Sequence, residues 1–216
     1  MRAVIFANGL LANPAAEAAR LRPDDWIIAA DGGTRHALAA GVTPHVLIGD
    51  LDSVSPEGRA RLESAGAEVR VYPSRKDETD LELALRHAVA RACPAGDVDE
   101  ILVLGALGGR WDQTLANVLL LAEPAFRACP VRLYDDRQSL FLAPSTFTGA
   151  PGDTVSLVPL RGDAHGVTTH GLEYPLANGT LRLGSTLGIS NVMTAAEATV
   201  TVREGLVLIV HIEGVM

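Results

Sequence analysis

Two aspartates separated by one residue, Asp50 and Asp52, follow a short apolar run at residues 45–48. Paired carboxylates directly after a buried strand are unfavourable unless they bind a cation or face solvent. Mg²⁺ prefers a few carboxylate oxygens and completes its octahedron with water and phosphate oxygens. The spacing therefore predicts either a Mg²⁺ site or a pair of solvated acids in a turn.

A second segment, residues 74–82, combines two cations with four acids. Thr79 and Glu82 fit a capping box, which is a structural role, and Asp80 lies in the first helical turn, where an acid favours the helix dipole. Lys76 has no such structural explanation. A cation beside acids suits a phosphate that a metal ion and a side chain neutralise jointly.

Two loops rich in glycine, residues 30–34 and 105–113, also follow predicted strands. Glycine permits positive φ and a close approach of the backbone to a ligand, although a tight turn explains the first loop as well. In the second loop Arg110 is suited to bidentate contact with an anion, while Asp112 fits either a helix N-cap or a binding role. This loop matches neither the P-loop nor the dinucleotide-binding fingerprint.

Residues 1–135 alternate between short apolar runs and helical patterns, and the helical patterns are clearest at residues 79–92 and 112–122. The second helix should carry Leu115, Val118, Leu119 and Ala122 on its apolar face. Such alternation predicts a mainly parallel, Rossmann-like sheet wrapped by helices, with the loops after its strands on one edge. The predicted strands are residues 3–7, 26–30, 45–48, 68–72, 101–104 and 131–134.

From Ser139 onward no helical pattern is evident, and short strand-like runs alternate with turn signals such as Asn-Gly and Glu-Gly. This pattern predicts an antiparallel β-sandwich or barrel. Residues 143–152 are rich in Pro, Gly, Ser and Thr. We therefore expect an α/β domain at residues 1–143 and a β-sandwich domain at residues 144–216. The predicted strands of the second domain are residues 154–158, 166–169, 180–183, 198–203 and 206–211.

The composition is that of a globular protein, since 48% of the 216 residues are hydrophobic and 20% are charged. A net charge of −8 argues against a broad nucleic-acid-binding surface. Cys93 and Cys129 are isolated, which suits a reducing compartment. The N-terminal apolar run reads as a strand and not as a signal peptide, and no segment approaches the roughly 20 apolar residues of a membrane span. We expect a cytoplasmic protein with neither nucleic-acid nor membrane partners.

The four loops described above follow strands of one predicted sheet, so they should meet at a single edge. Together they supply several acids, Arg75, Lys76, Arg110 and pairs of glycines. This inventory suits metal-assisted phosphoryl transfer from a nucleotide, in which catalysis consists mainly of positioning and charge neutralisation.

The same loops resemble the signature segments of the thiamine pyrophosphokinase family, and the resemblance covers nearly the whole chain. Gln113 departs from the bacterial pattern, which often has His there, and Val192 stands where an acid is common. In chain order the matching segments are Asp31-Gly32-Gly33, residues 49–53 (GDLDS), 76–82 (KDETDLE), 108–112 (GGRWD), 171–176 (GLEYPL) and 188–191 (GISN).

The resemblance implies a Mg²⁺-dependent kinase that moves the pyrophosphoryl group of ATP to the hydroxyl of thiamine, giving thiamine diphosphate and AMP. It also implies a homodimer whose active sites are shared between the α/β domain of one subunit and the β domain of the other. The implied metal ligands are Asp50, Asp52 and Asp80, which with Asp112 form the catalytic set. The implied ATP-binding residues are Asp31, Gly32, Gly33, Lys76, Asp77, Thr79, Gly108, Gly109 and Arg110, and the implied thiamine-binding residues are Asp112, Gln113, Tyr174, Ser190 and Asn191.

Three alternatives remain open from the residues themselves. The same site could pass pyrophosphate to another heterocyclic alcohol such as a pterin. Clustered acids also activate water in metal-dependent phosphohydrolases, although the usual His ligands are missing near these acids. A non-catalytic nucleotide- or thiamine-sensing module would be expected to have lost acids that this chain retains.

Overall fold

The computed structural model of the chain describes residues 1–95 and 98–214, and the side chain of Cys93 lies outside the described part. It contains two compact units, Met1–Asp136 and Arg137–Met216, called unit 1 and unit 2 below. The predicted fold class is confirmed, because unit 1 combines parallel strands with helices and unit 2 consists of antiparallel strands. The predicted domain division at residues 143 and 144 stays a prediction. No helix in the described ranges has the length and apolar character that crossing a membrane requires.

Six parallel strands form the sheet of unit 1, and each strand prediction was correct to within one residue at either end. They are β1 (Arg2–Phe6), β2 (Trp26–Ala30), β3 (Val46–Gly49), β4 (Glu68–Val71), β5 (Glu100–Leu104) and β6 (Val131–Asp135). Their order in the sheet is β6-β5-β1-β2-β3-β4. The chain therefore reverses its direction of winding between β1 and β5, which is where open α/β sheets bind ligands.

In the described part of unit 1, five α-helices follow the strands. The fourth buries one apolar face, since Leu81, Ala84, Leu85 and Ala88 are buried. The edge strand β4 has mostly exposed residues. The helices are α1 (Pro14–Ala18), α2 (Gly33–Ala39), α3 (Pro56–Ser64), α4 (Asp80–Ala95) and α5 (Trp111–Leu120).

The prediction for the apolar face of α5 was wrong. Leu115 and Leu119 are 59% and 54% exposed, whereas Asn117 is buried. The side-chain amide of Asn117 donates a hydrogen bond of 2.6 Å to the carbonyl oxygen of Ala106. This bond holds the polar face of the helix against the loop after β5, so the leucine face points outward.

Unit 2 is a sandwich of two antiparallel sheets with the orders β12-β9-β14-β7 and β11-β10-β13-β8. The inner residues include Phe141 and Ile209 from one sheet and Phe147 and Val200 from the other. The predicted strands of unit 2 are present, although their ends differ from the predicted ones. Three further strands were not predicted. The strands are β7 (Gln138–Leu142), β8 (Ser145–Thr148), β9 (Thr154–Pro159), β10 (Ala164–His170), β11 (Gly179–Leu181), β12 (Asn191–Val192), β13 (Glu197–Thr201) and β14 (Val207–Ile212).

Strand β8 lies inside residues 143–152, whose composition had suggested a connection. Phe147 is its single buried residue, and it pairs with Ala198 of β13. The flanking residues are polar or small because they face outward, so the strand carries a weak apolar signal.

Candidate active site

A cleft of about 670 Å³ in unit 1 is bordered by the loops after β1, β2, β3 and β5 and by the start of α4. The predicted edge of the sheet is therefore where this cleft opens. Of the predicted site residues in unit 1, those that line it are Asp31, Asp50, Lys76, Thr79, Asp80, Gly108, Gly109, Arg110 and Gln113. Those that do not line it are Gly32, Gly33, Asp52, Asp77 and Asp112.

Three aspartates converge at the cleft. One carboxylate oxygen each from Asp31, Asp50 and Asp52 lies within 4.8 Å of the others. Asp31 is buried, and its Oδ1 has no hydrogen-bond partner among the described residues. An unpaired buried carboxylate oxygen is unfavourable unless a cation satisfies it. The donor set consists of carboxylate oxygens alone, so these residues fit a hard cation such as Mg²⁺.

Asp80 lies beside this cluster and is paired with Lys76, whose Nζ is 3.1 Å from Asp80 Oδ1. Burial raises the pKa of Asp80 above 3.8, and the negative charges of Asp31 and Asp50 raise it further. The hydrogen bond and the positive charge of Lys76 oppose this rise. Gly49 makes this crowding of acids possible. A Cβ at Gly49 would stand 2.9 Å from Asp31 Cβ and 3.2 Å from Asp80 Oδ1.

Half of the predicted capping box is present at the start of α4. Thr79 Oγ1 accepts a hydrogen bond of 3.2 Å from the Glu82 backbone N–H. The Glu82 carboxylate pairs with Arg86 at 2.7 Å. Glu82 is thus occupied structurally, and the cap fixes the start of the helix that carries Asp80.

The glycine-rich loop after β5 adopts positive φ at Gly108 (78°) and Gly109 (74°), as glycine permits. Arg110 is the N-cap residue of α5, so the interpretation of Asp112 as the N-cap was wrong. Asp112 instead accepts a hydrogen bond of 3.1 Å from Arg110 Nε, and this contact lowers the pKa of Asp112. Both side chains are exposed.

The two glycines after β2 play a different part from the one the sequence suggested. Gly32 has a φ of −61°, and Asp31 adopts the left-handed conformation instead, with a φ of 43°. A Cβ at Gly33 would stand 2.0 Å from the carbonyl oxygen of Phe6. The close approach at Gly33 is therefore between α2 and β1. ATP binding by the two glycines stays a prediction.

The loop after β1, which was not predicted to belong to the site, lines the cleft with Asn8, Gly9 and Leu10. Gly9 N–H donates to the carbonyl oxygen of Gly105 at 2.7 Å, and its own carbonyl oxygen accepts from His36 Nε2 at 2.9 Å. The rule that locates ligands after parallel strands applies to β1 as well, and it would have found this loop. The other cleft residues that were missed include Arg35, Ser74, Glu78 and Asn117.

In unit 2 the residues that the resemblance assigns to thiamine binding, Tyr174, Ser190 and Asn191, lie together. Asn191 Oδ1 accepts from the Tyr174 backbone N–H at 3.0 Å, and Asn191 Nδ2 donates to the Tyr174 carbonyl oxygen at 2.8 Å. The Tyr174 ring is exposed, and Ser190 has a φ of 59° with its N–H bonded to Ser156 Oγ. The amide of Asn191 thus holds the backbone that presents Tyr174.

A buried carboxylate anchors the strand that carries Asn191. Asp153 Oδ2 accepts from Ala150 N–H and from His211 Nε2, each at 2.8 Å, and Oδ1 accepts from Gly214 N–H at 2.9 Å. The backbone carbonyl of Asp153 accepts from Met193 N–H, directly after β12. Burial would raise the pKa of Asp153, but the hydrogen bonds outweigh it and hold the pKa below 3.8.

We expect Asp153→Asn to lower the free energy of unfolding by about 3 kcal/mol at neutral pH. Every partner of this side chain is a donor, so an amide N–H₂ would face another donor in either orientation. The pKa of Asp153 is lower in the folded chain than its ordinary value of 3.8. The carboxylate therefore contributes its full stabilisation of the fold above pH 3.8, and this stabilisation is lost as the pH falls through the folded-state pKa. The free energy of unfolding, measured with urea between pH 7 and pH 3, should show this loss in the parent chain and not in Asp153→Asn.

The matched control is Asp163→Asn, since Asp163 is exposed and accepts one bond, from Leu183 N–H. Its loss should be about 1 kcal/mol or less. Equal losses in the two variants would contradict an anchoring role for Asp153.

Unit 1 thus presents clustered acids, cations and glycine-rich turns at the carboxyl edge of a parallel sheet. This arrangement defines the class: an α/β domain whose sheet edge carries groups suited to phosphoryl transfer.

Residues 19–133 match the family described as "Thiamin pyrophosphokinase, catalytic domain", and residues 146–207 match "Thiamin pyrophosphokinase, vitamin B1 binding domain". The chain belongs to the thiamin pyrophosphokinase family. The thiamine pyrophosphokinase of Bacillus subtilis is 34% identical over 190 residues, which are 86% of each chain. Thiamine pyrophosphokinase 1 of Oryza sativa subsp. japonica is 30% identical over 173 residues, which are 76% of this chain and 64% of the rice protein.

Solved structures give the same result. The thiamine pyrophosphokinase of Bacillus subtilis has a TM-score of 0.84 at 30% identity and covers 100% of both chains. That of Geobacillus thermodenitrificans has a TM-score of 0.81 at 31% identity, covering 99% of this chain and 98% of the other. The predicted family and the prediction of a pyrophosphokinase enzyme are confirmed, and the alternative functions are not favoured.

Proposed function

We propose that this chain transfers the β,γ-pyrophosphoryl group of ATP to the hydroxyl oxygen of thiamine. The observation that carries the proposal is the convergence of Asp31, Asp50 and Asp52 within 4.8 Å at the sheet edge. Lys76 and Arg110 line the same cleft and supply positive charge for the phosphates. Membership of the family supports the choice of the two substrates.

Asp50 and Asp52 would hold Mg²⁺, with Asp31 as the third carboxylate of the cluster. Asp80 belongs to the same set by resemblance, and it lies beside Asp31 across Gly49. When bound, Mg²⁺ would neutralise charge on the triphosphate and polarise its phosphoryl oxygens.

The transfer forms a bond between the thiamine oxygen and the β-phosphorus and breaks the bond from the β-phosphorus to the oxygen that AMP retains. That oxygen leaves with the electron pair, and the thiamine hydroxyl proton must go to a base. A cleft carboxylate that does not hold the metal ion would accept this proton. Lys76, Arg110 and the backbone of Gly108 and Gly109 would bind phosphate oxygens.

Thiamine would be bound by polar and aromatic groups. Asp112 and Gln113 would face the cationic thiazolium from the start of α5, and Ser190 and Asn191 would hydrogen-bond the aminopyrimidine. Tyr174 has an exposed ring that suits stacking on a thiamine ring.

The test is an assay that counts AMP and phosphate separately, with thiamine or with a pterin alcohol as acceptor. We expect AMP to appear in step with thiamine diphosphate and no phosphate release. AMP formed with the pterin alone would overturn the choice of acceptor. Phosphate release without acceptor would indicate a phosphohydrolase, and no turnover with ATP bound would indicate a sensing module.

We further propose a cytoplasmic homodimer with shared active sites. The isolated cysteines suit a reducing compartment. Trp111, Leu115 and Leu119 leave an apolar face of α5 exposed, and a second subunit would cover such a face. The family resemblance supports a pairing in which the α/β domain of one subunit meets the β domain of its partner.

Mixing chains with Asp50→Asn and chains with Asn191→Ala should restore activity after subunit exchange. Each variant alone should be inactive, but a shared-site dimer of the two would have one site with both defects and one intact site. Random assembly makes half of the dimers mixed, so activity should reach about a quarter of the parent level if the sites are independent. The measurement is thiamine diphosphate formation before and after exchange.

Exchange itself is followed with two differently tagged chains. A mixture that exchanges fully and stays as inactive as its components would mean that each site is built within one chain.

A further inference from the structure

Arg35 lines the cleft and has no assigned role. It is the third residue of α2, directly after the loop that carries Asp31, and it is exposed. Among the described residues its guanidinium makes neither a hydrogen bond nor an ion pair. A cation without a partner, at the wall of a cleft, is available to a ligand.

The other two cations of the cleft are already engaged. Lys76 Nζ is 3.1 Å from Asp80 Oδ1 and also donates to the Pro73 carbonyl oxygen at 3.1 Å. Arg110 is paired with Asp112 through Nε and Nη2 of its guanidinium. Any phosphate that these two residues bind must compete with a carboxylate of the chain itself.

The cleft also has an excess of acids, because four carboxylates and three cations line it. A triphosphate brings further negative charge, so a cation that no carboxylate of the chain neutralises favours its binding beyond what Mg²⁺ would supply. His36, the neighbour of Arg35, does not supply it. Burial lowers the pKa of His36, and the charge of Arg35 lowers it further. Its Nε2 is committed to the Gly9 carbonyl oxygen.

We infer that Arg35 binds phosphate oxygens of the nucleotide and is a principal source of uncompensated positive charge in the cleft. This inference rests on the proposed function for the identity of the nucleotide. The planar guanidinium presents two parallel N–H donors to a phosphate, which Lys cannot do. Arg35 therefore acts on the phosphates and not on the nucleoside or the acceptor.

The experiment measures binding by calorimetry, in the absence of thiamine, for ATP, adenosine and inorganic triphosphate. Three variants are compared with the parent chain: Arg35→Gln, Arg35→Lys and the control Arg61→Gln. Arg61 is an exposed arginine of α3 that does not line the cleft. A hydrogen bond to a charged group contributes about 1.5–3 kcal/mol, so Arg35→Gln should weaken ATP and triphosphate binding about tenfold to a hundredfold.

Adenosine binding and the melting temperature should not change in Arg35→Gln, and Arg35→Lys should recover part of the loss. In steady-state assays the KM for ATP should rise while the KM for thiamine stays within about twofold. Arg61→Gln should match the parent chain throughout.

The inference is overturned if Arg35→Gln binds ATP and triphosphate within about twofold of the parent chain. Equal weakening of adenosine would also overturn it, since that result indicates a structural role. So would a parent chain that binds neither ATP nor triphosphate. A parent chain that forms no thiamine diphosphate, yet binds triphosphate through Arg35, would refute the proposed function and leave the inference standing.

Discussion

Asp50→Asn should lower kcat/KM for thiamine diphosphate formation about a thousandfold, roughly 4 kcal/mol in the barrier, while the fold stays intact. Asp50 lines the cleft and contributes one of the three clustered carboxylate oxygens, beside Asp31 and Asp52. A neutral amide is a far weaker ligand for a hard cation, and it removes one of the charges that would hold Mg²⁺ against the triphosphate. Turnover at saturating Mg²⁺ and thermal melting, measured side by side, test this expectation.

The control is Asp24→Asn, since Asp24 is exposed and lies outside the cleft. Addition of Mg²⁺ without nucleotide should raise the melting temperature of the parent chain and of Asp24→Asn, and should leave Asp50→Asn unchanged. Activity of Asp50→Asn within about tenfold of the parent chain would remove Asp50 from the metal site.

Gly33→Ala should be strongly destabilising, costing about 3 kcal/mol or more of unfolding free energy. The added Cβ would lie 2.0 Å from the Phe6 carbonyl oxygen and 2.5 Å from its carbonyl carbon. Both atoms belong to the backbone of the central strand β1, so the clash cannot be relieved by rotating a side chain. For a chain of this size we expect the melting temperature to fall by about 10 °C.

Gly58→Ala is the matched control, because Gly58 lies in α3 and its Cβ would meet nothing closer than Ser55 Oγ at 3.3 Å. Alanine favours a helix interior over glycine by about 1 kcal/mol, so this variant should be as stable as the parent chain or slightly more stable. If Gly33→Ala melted within about 2 °C of Gly58→Ala, the close packing of α2 on β1 would not be the reason for glycine at position 33.

The sequence was sufficient to locate the strands and the site edge of unit 1. A strand such as β2, which is buried along its whole length, is a continuous run of apolar residues. Such a run can be recognised from the residue types alone. The carboxyl edge then follows from the right-handed winding of parallel sheets. For the same reason the sequence correctly predicts Asp31, Asp50, Lys76 and Arg110 at one edge of the sheet.

The sequence signal was weaker where burial covers one face or where strands are short. Strand β12 has two residues, and β8 has one buried residue, so neither produces a detectable alternation. The periodicity of α5 revealed apolar spacing, yet Leu115 and Leu119 are exposed. Spacing defines the faces of a helix, but the partner that covers a face is a property of the folded chain.

The tertiary structure decided which charged groups engage one another. Asp31 joins Asp50 and Asp52, Lys76 pairs with Asp80, and Arg35 alone among the cleft cations has no acidic partner in the described residues. The types of these residues follow from the sequence, but Coulomb interactions depend on distances of a few ångströms between segments far apart in the chain. Those distances arise only when the strands pair and the helices pack. The sequence by itself therefore determined the family, the sheet of unit 1 and the types of residue at the cleft, whereas the folded chain decided which of those side chains are free to meet a ligand.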